Sequence, residues 1–300
     1  MALPLISVGV PAWRGAEFIA ETLESILRQR DVRLRVFVSV DGADEASARA
    51  CRPFAGDPRL RLAVQPERLG WVRNSAVVLA EAAEASADYA CIQPQDDLLA
   101  EDYLAALLAW AEASPGAALV YSDIAMFGGR SGELRQPAGV GSPLARQVAL
   151  LLEHYNAVGY RGLTRVSALA RLPPITGNPH DDFAADTVWM ARLARAGVLL
   201  RVPRPLYRKR YHAANTHAGW TAWPIDRKVA AWTRHCLDML AEALIVAEDP
   251  ASRRLLEAAA RVRLLRLARP LGPYHADLTA LPADAQARML ADFDAGVAGR

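Results

Sequence analysis

Cysteine is scarce in this chain. Cys51, Cys91 and Cys236 are widely spaced and odd in number, and no CxxC pair exists. That pattern excludes a disulfide framework and a zinc knuckle as the organising device, and it fits a reducing compartment. Charge of one sign is also missing: 35 Lys and Arg oppose 33 Asp and Glu, a net of +2. The whole-molecule balance therefore gives no reason to expect nucleic acid as a partner. Long apolar runs are absent. The longest, Tyr103 to Ala111, falls far short of the roughly 18 residues a membrane span needs. The first residues, Met1-Ala2-Leu3-Pro4-Leu5, lack the basic start and apolar core of a signal peptide. The expectation is a soluble, cytoplasmic protein. No GxGxxG follows the first apolar run, which argues against a dehydrogenase.

What is present is the composition of a globular protein: 300 residues, 52% apolar, enough for one large domain or a domain with an appendage. Short β-rich runs alternate with helical patterns. Leu5 to Val10 reads as a strand stopped by Pro11, and Ala16 to Gln29 as an amphipathic helix. Arg35 to Val40 is a second strand ending at Asp41-Gly42, and Leu60 to Val64 a third. A helix over Val72 to Ala87 precedes the strand Tyr89 to Ile92, which runs into Gln93-Pro94-Gln95-Asp96-Asp97. Asp102 to Ala113 is helical, Ala117 to Ser122 a strand, Gly128 to Pro143 a turn or loop, and Ala145 to Tyr155 a helix. Gly162 to Val166 and Val198 to Val202 read as strands around a helix that ends an acidic segment, Asp181 to Gly197. This order predicts an α/β fold with a mainly parallel sheet. From Pro224 only helices follow: Ile225 to Ala247, Ala251 to Ala268 and Ala283 to Phe293. A boundary is placed near residue 220, with 1–220 as the α/β domain and 221–300 as a C-terminal helical extension.

Ligands in open α/β sheets gather beyond the carboxyl ends of the strands. Asp96 and Asp97 stand at such an end, and buried acids there need a positive partner. They have two readings: caps for the next helix, or part of a site for a divalent cation carrying a phosphorylated ligand. Asp41-Gly42 likewise reads as a turn or as a site acid, and Asp186 as an N-cap or as a base. Asp186, Trp189, Met190 and Leu193 share one helical face.

The order of motifs resembles the family 2 glycosyltransferases. Ile6 to Trp13, the helix ending Leu23 to Gln29, and Val40-Asp41-Gly42-Ala43-Asp44 resemble the family's opening. Leu69-Gly70-Trp71-Val72-Arg73-Asn74 resembles its next signature, and Gln95-Asp96-Asp97 its metal-binding acids. Ala185-Asp186 with Arg192 to Gly197 is similar to its base helix, and Tyr207 to His212 to its closing basic segment. The match runs over about residues 5 to 217. This chain has Val40 where the family often has an acid, Pro94 at another commonly acidic place, and Ala185 where glutamate is frequent.

The resemblance implies a GT-A fold and an inverting transfer of sugar from a nucleotide-sugar. It implies Asp97 and His212 on a Mn²⁺ or Mg²⁺ ion, Asp96 on the ribose or sugar, and Asp186 as the base, with Asp182 second. It implies a nucleobase pocket of Asp41, Arg73 and the Pro11–Trp13 loop. A carboxylate at Asp41 would accept from N3–H of uracil or thymine, which favours UDP- or dTDP-sugars. Arg208, Lys209 and Arg210 suit a diphosphate, with Arg210 the leading residue. The acceptor is expected to be a saccharide or a lipid-linked saccharide, and a homodimer is one possible state. Arginines 253, 254, 261, 263, 266 and 269 lie among leucines. That 251–269 helix reads as packed on the domain or as a peripheral membrane contact. Two other classes compete: a nucleotidyltransferase, which would carry a glycine-rich basic loop after the first strand, and a nucleotide-sugar-binding module without turnover.

Overall fold

The computed structural model describes residues 3–153, 157–213, 216–265, 278 and 280–299. The elements run β1 (Leu5–Ala12), α1 (Ile19–Leu27), β2 (Arg33–Val40), α2 (Glu45–Cys51), β3 (Leu60–Val64), α3 (Trp71–Glu84), β4 (Tyr89–Ile92), β5 (Leu98–Leu99), α4 (Tyr103–Glu112) and β6 (Ala117–Gly128). There follow β7 (Gly132–Leu134), α5 (Pro143–Leu152), β8 (Leu163–Arg165), α6 (Val166–Leu169), α7 (Ala185–Ala196), β9 (Val198–Tyr211), α8 (Thr216–Thr221), α9 (Ile225–Leu244), α10 (Pro250–Leu265) and α11 (Ala283–Ala298).

One sheet joins these strands in the order β3-β2-β1-β4-β8-β6-β9-β5, with β7 on β6. β1 to β4 are parallel, and β6 is parallel to β9. β8 is antiparallel to both β4 and β6, so β6 and β9 run with the first group. The mainly parallel sheet is therefore as expected, with β8 a reversed strand in its middle. β4 shows why: all four of its residues are buried, the signature of a strand covered on both faces. α1 buries Ile19, Thr22, Leu23 and Ile26, a stripe at helical spacing that lies on the sheet.

Three local expectations need correction. Pro11 does not stop β1, which continues through Ala12. Gly9 faces β4, its carbonyl accepting from Gln93 N–H. Pro11 faces the same way two residues on, past the end of β4, where no N–H is required. β9 does not end at Val202 but runs to Tyr211. Its pairing with β6 shifts between Ser122↔Val202 and Ile124↔Tyr207, so Pro203 and Pro205 sit in a bulge. Asp123 holds that bulge by a two-pronged bond to Arg201, at 2.7 and 2.6 Å. The segment Gly128 to Pro143, read as a loop, contains β7, which pairs back on β6.

The change near residue 220 is one of secondary structure rather than of core. A single apolar cluster joins Ile92, Leu119 and Tyr121 of the sheet to Trp189 of α7, Trp232, Met239 and Leu240 of α9, Leu256 and Leu264 of α10 and Phe293 of α11. On α10, Arg253 pairs with Glu257 at 2.8 Å and Arg261 with Asp294 at 2.6 Å. Arg263 donates to the Leu150 carbonyl at 3.1 Å. This helix packs on its neighbours and spends these arginines internally, although Leu255, Val262 and Leu265 remain exposed. Tyr155, the helix end at Ala268, Arg266, Arg269 and the break at Pro270 to Pro273 lie outside the described residues. Among the described residues no helix is long and apolar enough to cross a membrane.

Candidate active site

The carboxyl ends of β2, β1 and β4, adjacent in the sheet, bring three loops together. The β1 loop, Trp13-Arg14-Gly15, has every N–H held. Trp13 donates to Gln95 Oε1 at 2.6 Å, Arg14 to Asp44 Oδ2 at 2.5 Å and Gly15 to Ser47 Oγ at 2.9 Å. Gln95 Nε2 returns a bond to the Trp13 carbonyl at 2.6 Å, so the β4 loop fixes the β1 loop from both sides. A Cβ on Gly15 would lie 2.1 Å from Gln95 Oε1. Gly15→Ala is therefore expected to cost about 1–3 kcal/mol and to loosen the Trp13 loop, read as a lower denaturation midpoint with weakened nucleotide binding.

Asp41 ends β2 but does not present a free carboxylate. It is 1% exposed, and its oxygens accept from the backbone N–H groups of Leu69 (2.5 Å) and Gly70 (2.9 Å). Asp41 thus holds the turn into α3, and the nucleobase contact expected of it would be shared with these two amides. Gly70 takes φ 81° there, a left-handed value that favours glycine. Arg68 from this turn lies over the Trp13 ring at 4.3 Å. Arg73 stands exposed on the first turn of α3, 3.6 Å from Glu67.

The two acids after β4 diverge across a turn in which the Asp97 N–H donates to the Pro94 carbonyl at 3.4 Å. Asp97 turns inward and is 1% exposed. Its Oδ2 accepts from Arg161 Nη1 and Tyr207 OH, both at 2.6 Å, and its Oδ1 from the Arg210 N–H at 2.7 Å. Burial pushes the Asp97 carboxyl above its ordinary range, against the pull of Arg161 and Lys209. With these donors in place Asp97 is a brace between β4, the turn at Ala157–Arg161 and β9, and the metal-ligand role expected of it would have to share oxygens that already accept three hydrogen bonds. Asp96 turns the other way, with Oδ2 2.8 Å from His212 Nε2. Both side chains are about one-fifth exposed, 19% and 21%, and face the cleft. Replacing Arg161 by methionine strands the Asp97 charge in the interior. The expected loss is about 3–5 kcal/mol, measurable as a fall in urea midpoint that Arg161→Lys partly restores.

Arg210 is also engaged within the protein. Its guanidinium lies between Phe18 (4.7 Å) and Phe127 (4.6 Å). It pairs with Glu21 and donates from Nε to the Asp96 carbonyl at 2.9 Å. It latches α1 to β9. Strand alternation explains this: Tyr207 and Lys209 are buried while Arg208 is exposed. The basic segment is strand, not a loop, and Lys209 is the cation aimed at the acids. Burial, and next the nearby Arg161, pull the Lys209 ammonium down to about 8, against Asp97, Asp96 and Asp186.

Asp186 sits on the first turn of α7, half-buried, its Oδ1 accepting from Thr187 N–H at 2.8 Å. Burial raises its carboxyl above the ordinary range, opposed by Arg161 and the Thr187 amide. The loop before it is strained: Asp181, Asp182 and Ala184 all take positive φ, at 47°, 56° and 51°. Non-glycine residues there cost about 1–3 kcal/mol each and cluster at functional sites. Asp182, the second candidate base, is occupied within the loop, accepting from Asn178 N–H at 3.0 Å. Phe183 anchors the loop against Trp220, ring centres 4.9 Å apart. The charges of Asp97, Asp96 and Asp186 all favour the Lys209 ammonium.

The sequence pattern of Glycosyl transferase family 2 matches residues 7–172, more than half of the 300-residue chain. The chain belongs to this family. Its fold is similar to that of S. aureus TarS 1-349 in complex with UDP-GlcNAc, with TM-score 0.69 at 14% identity over 97% of this chain and 81% of that one. It is also similar to the mannosyltransferase PcManGT from Pyrobaculum calidifontis in complex with GDP-Man and Mn²⁺, with TM-score 0.59 at 21% identity over 98% and 80% of the two chains. The GT-A fold and a glycosyltransferase activity follow from family and fold together. In this family 2 enzyme Arg161 is the residue on Asp97 that no sequence motif points to. The burial of Lys209, one of the three basic residues read toward a diphosphate, follows the period-two pattern Tyr207, Lys209, Tyr211. Arg161 carried no local signal, because its partner Asp97 is 64 residues away.

Proposed function

We propose that this enzyme transfers a sugar from a nucleoside-diphosphate donor to a hydroxyl of a saccharide or lipid-linked saccharide, with inversion at the anomeric carbon. What supports this is membership of the family, with the Asp96–His212 pair at 2.8 Å after β4 and Asp186 on the first turn of α7 behind a strained loop.

A divalent cation fits the first. Two ligands side by side on an octahedral ion at about 2.1 Å lie about 3 Å apart, and Asp96 Oδ2 and His212 Nε2 are 2.8 Å apart. Among the described residues no group of three His, Cys, Asp or Glu is placed to hold a metal. The remaining ligands would be water and phosphate oxygens, as is usual for Mg²⁺-like ions. A carboxylate–imidazole pair favours Mn²⁺ over Mg²⁺. When bound, the ion supplies Lewis-acid neutralisation of the departing diphosphate.

The protein's own residues do the rest. The Trp13 loop, the Leu69–Gly70 turn held by Asp41, and Arg73 line the nucleoside side. Asp186 accepts the proton of the acceptor hydroxyl as that oxygen attacks C1. A single displacement by a base-activated hydroxyl inverts the centre, because the leaving diphosphate departs from the opposite face. The strand-1 loop is neither glycine-rich nor positioned as a phosphate cradle, which argues against a nucleotidyltransferase. With Asp41 spent on backbone, the base preference rests on measurement: UDP, dTDP and GDP should be compared by thermal shift, each with and without Mn²⁺. At least one should raise the melting temperature more with Mn²⁺ than without. No stabilisation by any of them would contradict the donor reading.

A further inference from the structure

Asp181, Asp182 and Ala184 take positive φ directly before the helix that carries Asp186. Backbone of that kind persists only where its surroundings over-determine it. The polar groups of the loop close on one another: Asn178 Nδ2 donates to the Phe183 carbonyl and the Phe183 N–H to the His180 carbonyl, both at 2.9 Å. The Phe183 side chain is spent differently. It is 1% exposed, and its ring stands edge-on to Trp220 of α8 at 4.9 Å and to His235 of α9 at 6.0 Å, with Trp223 at 6.1 Å. Edge-to-face packing fixes the angle of a ring as well as its depth. A second tie runs to the same helix, where Arg227 donates to Asp181 Oδ2 at 2.6 Å and lies over the Trp223 ring at 4.0 Å. His235 is held in turn, accepting from Arg263 of α10 at 3.2 Å.

These holders all lie past residue 215, whereas the family pattern ends at 172. The held segment leads straight into the site. The Thr187 N–H donates to the Ala184 carbonyl at 3.0 Å and to Asp186 Oδ1 at 2.8 Å, so one amide ties the loop's last residue to the carboxylate. A base must lie within hydrogen-bond reach of the proton it takes, and a misplacement of about 1 Å can cost about a hundredfold in rate. We propose that Phe183 is a positioning residue for the base: gripped by Trp220, Trp223 and His235, it sets the start of α7 so that Asp186 meets the attacking hydroxyl, which makes the C-terminal helices part of the catalytic apparatus. This rests on the reading of Asp186 as base.

The test begins with Phe183→Leu, which keeps the pocket apolar but removes the ring. Release of nucleoside diphosphate from a panel of UDP-, dTDP- and GDP-hexoses is followed with Mn²⁺ present and water as the acceptor, beside calorimetric titration of the matching diphosphate. The turnover number should fall about tenfold to a hundredfold, with donor KM and diphosphate affinity within about twofold of wild type. Hydrogen exchange over residues 178–188 should quicken while that of 89–97 stays as in wild type. Trp220→Phe, which keeps a ring against Phe183, should retain most of the rate that Trp220→Leu loses. A double-variant cycle decides the matter: added to Asp186→Asn, Phe183→Leu should cost less than about threefold more, because both changes act through one carboxylate. Trp223→Leu, at a partly exposed position, gives the same comparison should Phe183→Leu not fold. A wild-type turnover number in Phe183→Leu, or losses that multiply in the double variant, would overturn the inference while leaving Asp186 as the base. Wild-type turnover in Asp186→Asn overturns both, and a wild type that releases diphosphate from no member of the panel contradicts the donor reading beneath them.

Discussion

Asp186→Asn is expected to lower sugar transfer by about 10²–10⁴-fold while donor affinity stays within about twofold of wild type. Asparagine keeps the size of the side chain and can still accept from the Thr187 N–H, so the α7 turn should hold its shape. What is lost is the ability to take a proton. The check is initial-rate kinetics beside calorimetric titration of the donor. Full turnover in this variant would move the base elsewhere, and Asp182 would be the next residue to replace. The wild-type pH profile bears on the same point. Burial raises the Asp186 carboxyl, and a base works only when deprotonated. The acid limb of kcat/KM should therefore lie above the ordinary carboxylate range. Activity should fall as the pH drops through that raised value, and Asp186→Asn should remove the limb.

Asp96→Ala should be nearly as damaging. The diphosphate departs with growing negative charge, and Asp96 with His212 supplies the protein side of the cation that meets it. Transfer should fall by about a hundredfold or more, and chelation of the wild type should do the same. His212→Ala should give a partial loss, because one carboxylate with water and phosphate oxygens can still hold a hard cation weakly. Tyr207→Phe touches Asp97 but not the Asp96–His212 pair, so it should lower stability by about 1 kcal/mol and leave the metal requirement in place. The contrast between Asp96 and Tyr207 separates a ligand from a brace.

Much of this was legible in the chain, for a physical reason. β3 and β4 were bounded by their apolar runs alone, and Asp41, Asp96 and Asp97 were placed at strand ends because period-two and helical patterns leave little else there. What the pattern leaves open is direction. Which of two adjacent acids turns into the cleft depends on partners far along the chain: Asp97 is claimed by Arg161 and Tyr207, 64 and 110 residues on. Arg210 was read as a diphosphate contact because its charge is visible in sequence, whereas its two phenyl neighbours, Phe18 and Phe127, are not adjacent to it. β9 was cut short because Pro203 and Pro205 normally end a strand, and only pairing with β6 reveals that they occupy a bulge. β5, two residues long, carries too little pattern to be seen at all.

The central claim is that Asp96 and His212, not Asp97, form the protein's half of a cation site completed by the donor's diphosphate. It is tested most directly by electron paramagnetic resonance of Mn²⁺ titrated into the protein with and without nucleoside diphosphate. The account predicts that the diphosphate strengthens Mn²⁺ binding to the wild type and to Tyr207→Phe, and that this gain vanishes in Asp96→Ala. Undiminished, diphosphate-coupled Mn²⁺ binding by Asp96→Ala would contradict it.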